Sequence, residues 1–225
     1  MKAICLRRFF VVIFIITVFV FSSLAQGIMK NVLDGIDFTT LPHREAKFEP
    51  YMYCYGVDNS LGKISNKLYE NLQCTEYIFA DNDDTAPAAY AKFQIPQQET
   101  ILIAVNFGGA TDYVTDVLVA VDDEGNILDT LECTVAQPFV YIKQYRILAD
   151  GQIVVTSIKP KQEASIPFVK FSPFVGNRID CTYIVDNGKF VIEKVQRYAD
   201  KIYTYELLSD KYYNLWDGNE QLLNE

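Results

Sequence analysis

The sequence contains very little histidine and tryptophan, and these shortages exclude several kinds of site. His43 is the only histidine and Trp216 the only tryptophan among 225 residues. A zinc site with several histidine ligands is therefore excluded, and a Ser-His-Asp or Cys-His nucleophile would have to use His43. The chain also has no G-x-S-x-G motif around a serine nucleophile. His43 lies between Pro42 and Arg44, where we expect an ordinary surface histidine in a loop.

Basic residues are fewer than acidic residues, and the difference excludes polyanionic partners. The chain has 20 Lys and Arg against 29 Asp and Glu, a formal net charge of −9. DNA, RNA and anionic membrane surfaces would be repelled by this charge. We therefore predict no nucleic-acid partner, and we attribute the acidic surplus to solubility.

The first 25 residues have the pattern of a secretory signal peptide. Three basic residues precede a run of 13 residues, 9–21, that is apolar except for Thr17, and Ser23 and Ala25 supply small side chains at a cleavage site. The run is shorter than the roughly 20 residues that a membrane helix needs. We predict an exported protein, periplasmic or secreted, with no membrane span after cleavage; a retained signal anchor is the alternative. Without those three basic residues, 17 Lys and Arg stand against 29 acidic residues, a net charge of −12.

Four cysteines follow the predicted cleavage site: Cys54, Cys74, Cys133 and Cys181. An even number in an exported chain permits two disulfides, with three pairings. Cys54 and Cys74 flank a predicted helical segment and are the candidates for a local disulfide. Cys133 and Cys181 lie in alternating, strand-like sequence, which is equally compatible with a buried thiol. No C-x-x-C pair occurs, so neither a redox motif nor a zinc motif is predicted.

The spacing of apolar residues divides the remaining chain into two parts. Residues 26–88 are irregular with short helical patterns, one around residues 29–33 and one from Leu61 to Leu72. From residue 89 to residue 225 the apolar residues alternate with a period of two, which predicts strands. We predict an irregular or helical N-terminal portion, 26–88, and an antiparallel β domain, 89–225, or one domain that contains both.

Turns ending at Gly125, Gly151 and Gly188 separate alternating runs in the β-rich part. Asp-Gly and Asn-Gly turns between such runs are strong indicators of β-hairpins, because these residues accept positive φ values. The three glycines are 26 and 37 residues apart, which is too irregular for a repeat. The sequence therefore predicts a mainly β fold, an antiparallel meander forming a twisted sheet, a sandwich or a partly open barrel. An incomplete β-propeller-like array is the alternative.

Clusters of acidic residues indicate no specific metal or catalytic site. Asp81, Asp83 and Asp84 begin like an EF-hand, but Ala86 replaces the required glycine and Lys92 the bidentate glutamate. A less regular calcium site in this loop stays open. The 29 acidic residues include no evident pair for glycoside hydrolysis. We therefore predict no catalytic residue, no cofactor-binding residue and no metal ligand.

Aromatic residues are dense towards the C-terminus and give the candidate ligand or partner surface, which comprises Tyr203, Tyr205, Tyr212 and Trp216. Exposed aromatic side chains would stack on sugars or pack against a protein. The alternative is that these residues pack the faces of the sheet, since aromatic residues are favoured in strands.

Three strand-turn-strand segments, 116–127, 145–156 and 183–191, lie within residues 89–220, and the sequence Trp216-Asp217-Gly218-Asn219-Glu220 closes this part of the chain. In these segments the chain resembles small exported β-rich proteins of Bacteroides-type bacteria. The resemblance implies a location in the cell envelope or outside the cell, and implies no activity. No cysteine follows the predicted cleavage site, so a lipid anchor is not predicted.

These observations predict an exported, non-enzymatic binding or interaction protein of the bacterial cell envelope. Its partner would be an envelope protein or a glycan. The alternative is a small carboxylate-dependent hydrolase acting on glycans, which would need two carboxyl groups about 5 to 10 Å apart across a cleft.

Overall fold

The fold was obtained as a computed structural model, which describes residues 30, 32–44, 55–56, 88–107, 114–137, 140–161 and 173–223. Residues 32–35 are helical. The strands are β1 His43–Arg44, β2 Tyr55–Gly56, β3 Ala88–Gln94, β4 Ile101–Phe107, β5 Val114–Val121, β6 Ile127–Gln137, β7 Val140–Ile147, β8 Ile153–Pro160, β9 Phe174–Asp186 and β10 Lys189–Tyr203. Helix α1, Tyr205–Ser209, and a 3-10 turn, Leu215–Asp217, follow.

All ten strands belong to one sheet, and neighbours in sequence are neighbours in space. The order runs from β10 through β9, β8 and so on to β2, and every pair is antiparallel. Strand β1 pairs with the end of β7, beside this path. The predicted mainly β antiparallel meander is confirmed, and the sheet is open. The propeller alternative is wrong, because propeller blades are separate four-stranded sheets.

The three predicted hairpins are confirmed by their backbone geometry. Gly125, Gly151 and Gly188 have φ values of 84°, 88° and 75°, and they connect β5 to β6, β7 to β8 and β9 to β10. Asn187 also has a positive φ, 49°, as expected at the centre of a two-residue Asn-Gly turn. At Gly188 an added Cβ would overlap the side chain of Leu128, so this turn packs closely against β6.

The sheet folds over at the junction of β6 and β7, where pairing is short. Residues 135–137 of β6 pair with residues 140–143 of β7, and beyond this point the two strands diverge. The two parts of the sheet, β2–β6 and β7–β10, contact each other again away from this junction. There the Gln98 side-chain amide donates to the carbonyl of Val185 at 2.7 Å, and the Phe190 amide donates to Asp129 at 3.0 Å.

The core has three layers that follow from this folding. The central layer lies between β3–β6 and β7–β9 and contains fully buried residues such as Phe93, Leu118 and Tyr145. A second layer covers the other face of β4 and β5, where the helical residues 32–35 contribute Val32 and Leu33. The third lies beneath α1 and the 3-10 turn. Burial of apolar side chains in these layers is the main stabilising contribution to the fold.

Two local predictions differ from the structure. The sequence of residues 201–206 predicts a further strand, but β10 continues to Tyr203 and α1 begins at Tyr205. Register shifts after Ile192 and Arg197 interrupt the alternation of β10, so its pattern does not read as one strand. His43 lies in β1, half-buried, with its ring centroid 4.8 Å from that of Phe93. The predicted helix from Leu61 to Leu72 and the acidic loop at Asp81–Asp84 lie outside the described residues.

Candidate functional site

The two faces of strand β9 have opposite chemistry. Side chains alternate across a strand, so Arg178 and Asp180 lie on one face while Val175 and Tyr183 lie on the other. Arg178 and Asp180 are 5% and 4% exposed. A charged pair this deeply buried needs several hydrogen bonds to offset the loss of water. Groups on the face that carries Arg178 and Asp180 supply some of these hydrogen bonds.

On this face Arg178 is held by a bidentate contact with Asp180. Its Nε donates to Asp180 Oδ1 at 2.9 Å and its Nη2 to Oδ2. The Tyr198 hydroxyl donates to the same Oδ2 at 3.1 Å, and the guanidinium lies 4.2 Å from the centre of the Tyr198 ring. Burial alone would lower the pKa of Arg178, but the Asp180 carboxylate more than offsets it and the pKa is raised. Arg178 is therefore a permanent cation.

Residues 204–223 cross this face and are here called the strap. The strap begins at Thr204, whose hydroxyl accepts from the Leu207 amide and starts α1. It ends by pairing with the outer side of β10, where the Ala199 amide donates to Gln221 O at 2.8 Å and the Leu223 amide to Arg197 O at 2.9 Å. The strap is therefore anchored at both ends and buries what lies beneath it.

The strap places the carboxylate of Glu220 among basic groups. Glu220 Oε1 accepts from Lys201 Nζ at 3.0 Å and from the Tyr203 hydroxyl at 3.1 Å, and Oε2 is 3.7 Å from Arg178 Nη1. Burial alone would raise the pKa of Glu220, but a backbone hydrogen bond and Lys201 outweigh it and the pKa is lowered. Gly218 makes this geometry accessible, because a Cβ there would overlap the Glu220 carboxylate.

Several buried polar atoms between the strap and the sheet have no hydrogen-bond partner among the described residues. Two belong to the strap and three to the strands below it: Trp216 Nε1, Glu220 Oε2, Gln144 Nε2, Arg146 Nε and Thr156 Oγ1. Arg146 is half-buried with its guanidinium 5.4 Å from the Trp216 ring centre. Such atoms are rare in native proteins and require an explanation. The contact between strap and sheet is therefore incompletely matched.

A second buried network surrounds Asp116 in the central layer, where its side chain is fully buried. Asn106 Nδ2 and the Tyr90 hydroxyl donate to its two oxygens, and the Tyr90 and Tyr145 hydroxyls are 2.8 Å apart. Burial raises the pKa of Asp116 to about 6, against the opposing effect of hydrogen bonds from Asn106, Tyr90 and Thr134. This carboxyl group therefore keeps its proton to a higher pH than an exposed aspartate does.

The other face of β9 and β10 exposes an apolar strip, defined by Val175, Ile192 and Ile202. They are 45%, 54% and 61% exposed. Ile202 pairs directly with Val175, and Ile192 pairs with Tyr183 on the same face. The Val175–Ile202 pair and Ile192 are eight residues, or about 26 Å, apart along this face of β9. Exposed aliphatic side chains on one face of a sheet are a candidate interaction surface.

The aromatic residues expected to form one surface are divided by the structure. Tyr203 is fully buried and Trp216 is 8% exposed, because both lie between the strap and the sheet. Tyr205 is half-buried at the start of α1, and Tyr212 is 79% exposed. Of these four side chains, Tyr212 therefore offers a largely open ring to a ligand.

The cysteines within the described residues are not joined by a disulfide. Cys133 is buried and donates to the Asp116 carbonyl at 3.2 Å. Burial raises the pKa of the half-buried Cys181 thiol, which disfavours the reactive thiolate. Cys54 and Cys74, the predicted local pair, lie outside the described residues.

The described residues contain no group of three or more His, Cys, Asp or Glu side chains arranged to hold a metal ion. In the same part of the chain, no helix is sufficiently long and apolar to cross a membrane.

Sequence reasoning missed the residues of both buried networks, although a local pattern could have indicated them. Asp116 interrupts an otherwise apolar strand, and Arg178 and Asp180 are two residues apart in an alternating strand. Charged residues at positions facing inward require partners. Their partners Glu220 and Tyr90 are distant in sequence, and no local pattern identifies them.

The resemblance to exported proteins of Bacteroides-type bacteria stays a prediction. No protein-family model, no curated protein and no solved structure matches the chain. Its function must be inferred from its own residues and their geometry.

Proposed function

We propose that this chain is an exported, non-enzymatic interaction protein of the bacterial cell envelope that binds another protein. The apolar strip is the observation that supports this proposal. Val175, Ile192 and Ile202 are all exposed on one face of the two outermost long strands. Burial of such side chains against a partner contributes roughly 25 cal/mol per Å² of apolar surface.

A protein partner is favoured over a glycan by the kind of side chain that is exposed. Sugar-binding surfaces depend on the flat faces of aromatic rings, whereas aliphatic side chains pack against other proteins. Tyr203 and Trp216 are buried, and the strip that is exposed consists of branched aliphatic residues. The partner is therefore expected to present an apolar surface of its own.

No observation in the described part of the chain favours the glycan hydrolase. That activity needs two carboxyl groups facing across an open cleft. Asp116 is enclosed within the central layer and Glu220 is bound by Lys201 and Tyr203. Both carboxyl groups are occupied by hydrogen bonds within the protein.

Export is tested by the N-terminus of the protein recovered from its native host. Cleavage after Ala25 would give a mature chain beginning at Gln26, which intact-mass and N-terminal peptide measurements detect. Fractionation should place the same species in the periplasm or the medium. An uncleaved chain in the cytoplasm would rule out this part of the proposal.

Partner binding is tested by site-specific photo-crosslinking in that host. A photoreactive residue at Ile202 should capture one discrete protein, because this position lies in the strip. A matched probe at Glu124, an exposed position on the β5–β6 turn, is the control. Equal labelling at both positions, or none at Ile202, would contradict a partner at the strip.

A further inference from the structure

We propose that the strap occupies a carboxylate-binding site on the sheet and is displaced from it by an extended, acidic segment of the partner protein. This inference rests on the proposed function, because it requires a protein partner. It assigns that partner a second point of contact, on the face of β9 and β10 opposite the apolar strip. The partner would form a strand beside β10 and place a carboxylate where Glu220 lies.

The side chains around Glu220 are hydrogen-bond donors and cations, as a binding site for a carboxylate requires. Arg178 is 5% exposed, and with Lys201 and Tyr203 it surrounds the Glu220 carboxylate. Three cations, Arg146, Arg178 and Lys201, lie on this face of the sheet, and Asp180 is paired with one of them. Without Glu220 the face would carry a positive charge on an otherwise acidic protein. An acidic segment is therefore the complementary ligand.

The strap fits this site incompletely. The Glu220 Oε2 atom and the Trp216 Nε1 atom are buried without a hydrogen bond among the described residues. Beneath them, Gln144 Nε2 and Thr156 Oγ1 are also buried without a hydrogen bond among the described residues. When the strap leaves, the two strap atoms return to water, and a segment that supplied partners for Gln144 and Thr156 would replace the strap favourably.

The outer side of β10 offers further pairing that the strap does not use. Strand β10 has 15 residues, and the strap pairs with it around residues 197–199. In the part of the chain that the structure describes, no strand pairs with the outer side of residues 191–196. Extended peptides commonly bind by adding a strand to such an edge. A partner strand could therefore pair along a longer part of β10 than the strap does.

The variant Gly218→Ala tests displacement without changing any charge. The added methyl group would overlap the Glu220 carboxylate, while the backbone of Gly218, with φ −65°, accepts alanine. The probe is a fluorescein-labelled peptide with the sequence of residues 214–223, measured by fluorescence anisotropy against the full-length mature protein. We expect this peptide to bind the Gly218→Ala protein at least about tenfold more tightly than wild type, because loss of the internal competitor raises the fraction of open sites.

Two further comparisons isolate the carboxylate. A peptide with glutamine in place of Glu220 should bind the Gly218→Ala protein at least about tenfold more weakly than the unmodified peptide. The protein variant Glu206→Gln also removes one negative charge, at an exposed position in α1. It should bind the unmodified peptide with the affinity of the wild-type protein. Equal binding of the two peptides, or equal affinity of wild type and Gly218→Ala, would overturn the proposal.

Hydrogen exchange in the wild-type protein keeps the test decisive if the variant does not fold. The Leu223 amide, bonded to Arg197, should exchange through local opening and faster than amides paired between β8 and β9. Exchange of all these amides at one common rate would mean that the strap opens only when the protein unfolds, which overturns the proposal. A wild-type dimer that exchanges straps would equally overturn it, because the occupant would then be a second copy.

This experiment and the photo-crosslinking at Ile202 fail independently. Peptide binding without a crosslinked partner would retain the carboxylate site and reject the proposed function. A crosslinked partner without peptide binding would retain the proposed function and reject displacement of the strap.

Discussion

The protein buries two clusters of charged and polar side chains, and they differ in how they are enclosed. The Asp116 network lies between the two parts of the sheet. Every buried polar side-chain atom of Asp116, Asn106 and Tyr90 has a hydrogen-bond partner. The cluster of Arg178 and Glu220 lies on an outer face under a single chain segment, the strap. There, buried polar atoms of strap and sheet lack hydrogen bonds.

This difference indicates which cluster is structural and which is suited to exchange. A fully hydrogen-bonded network inside a core specifies one packing arrangement and opens only with the core. A network whose cover is one short segment opens with that segment, at a free energy below that of global unfolding. The two clusters also respond to pH in opposite directions, since the pKa of Asp116 is raised and that of Glu220 is lowered.

The largest effect is expected from Arg178→Met, which leaves Asp180 buried without its cation. Breaking a buried ion pair from one side typically costs about 3 to 5 kcal/mol. Urea denaturation of the variant should show a loss of free energy of unfolding in this range. The strap would also lose the hydrogen bond from Arg178 Nη1 to Trp216 O, now 3.1 Å.

The double variant Arg178→Met, Asp180→Leu is the matched control. Removal of both charges leaves no uncompensated carboxylate, so more than half of the lost stability should return. A single variant that costs less than about 1 kcal/mol would show that the pair is solvated like a surface ion pair.

The next effect concerns Asp116 and pH. Its pKa of about 6 in the folded protein lies above the reference value of 3.8, so its contribution to stability is greatest below pH 3.8 and is lost as pH rises through 6. The stability of wild type relative to Asp116→Asn should therefore fall by about 2 to 3 kcal/mol between pH 4 and pH 7. Urea midpoints of both proteins across this range measure the difference, and a constant difference would contradict the raised pKa.

Glu220 should give a smaller, local effect of the opposite sign. Its lowered pKa means that its contribution is present above the reference value of 4.5 and is lost as pH falls below it. The Leu223 amide should then lose protection from hydrogen exchange, corrected for intrinsic rates, as pH is lowered from 6 to 4. The Glu220→Gln protein should show no such trend. A decrease of the same size in both proteins would assign the trend to another group.

The meander could be predicted from sequence because its determinants are local. Each hairpin has its own turn residues, as at Asn187 and Gly188, and strand alternation is visible within short windows. The folding of the sheet at β6–β7 could not be predicted, since it depends on contacts such as Gln98 with Val185 between distant segments. The strap was missed for the same reason. For Tyr203 and Trp216 the sequence left open both an exposed surface and packing against the sheet, because the segment that covers them is a tertiary feature.

The smallest effect on stability is expected in the apolar strip, and this separates the strip from both buried clusters. Ile202 is 61% exposed, so Ile202→Glu should change the free energy of unfolding by no more than about 0.5 kcal/mol. The same substitution should abolish crosslinking of a partner from a probe at Val175, its cross-strand neighbour, because a buried, unpaired carboxylate in the complex is costly. If Ile202→Glu unfolds the protein, the strip belongs to the core. Retained stability with undiminished crosslinking would place the partner elsewhere, and the strip would then be an ordinary part of the surface.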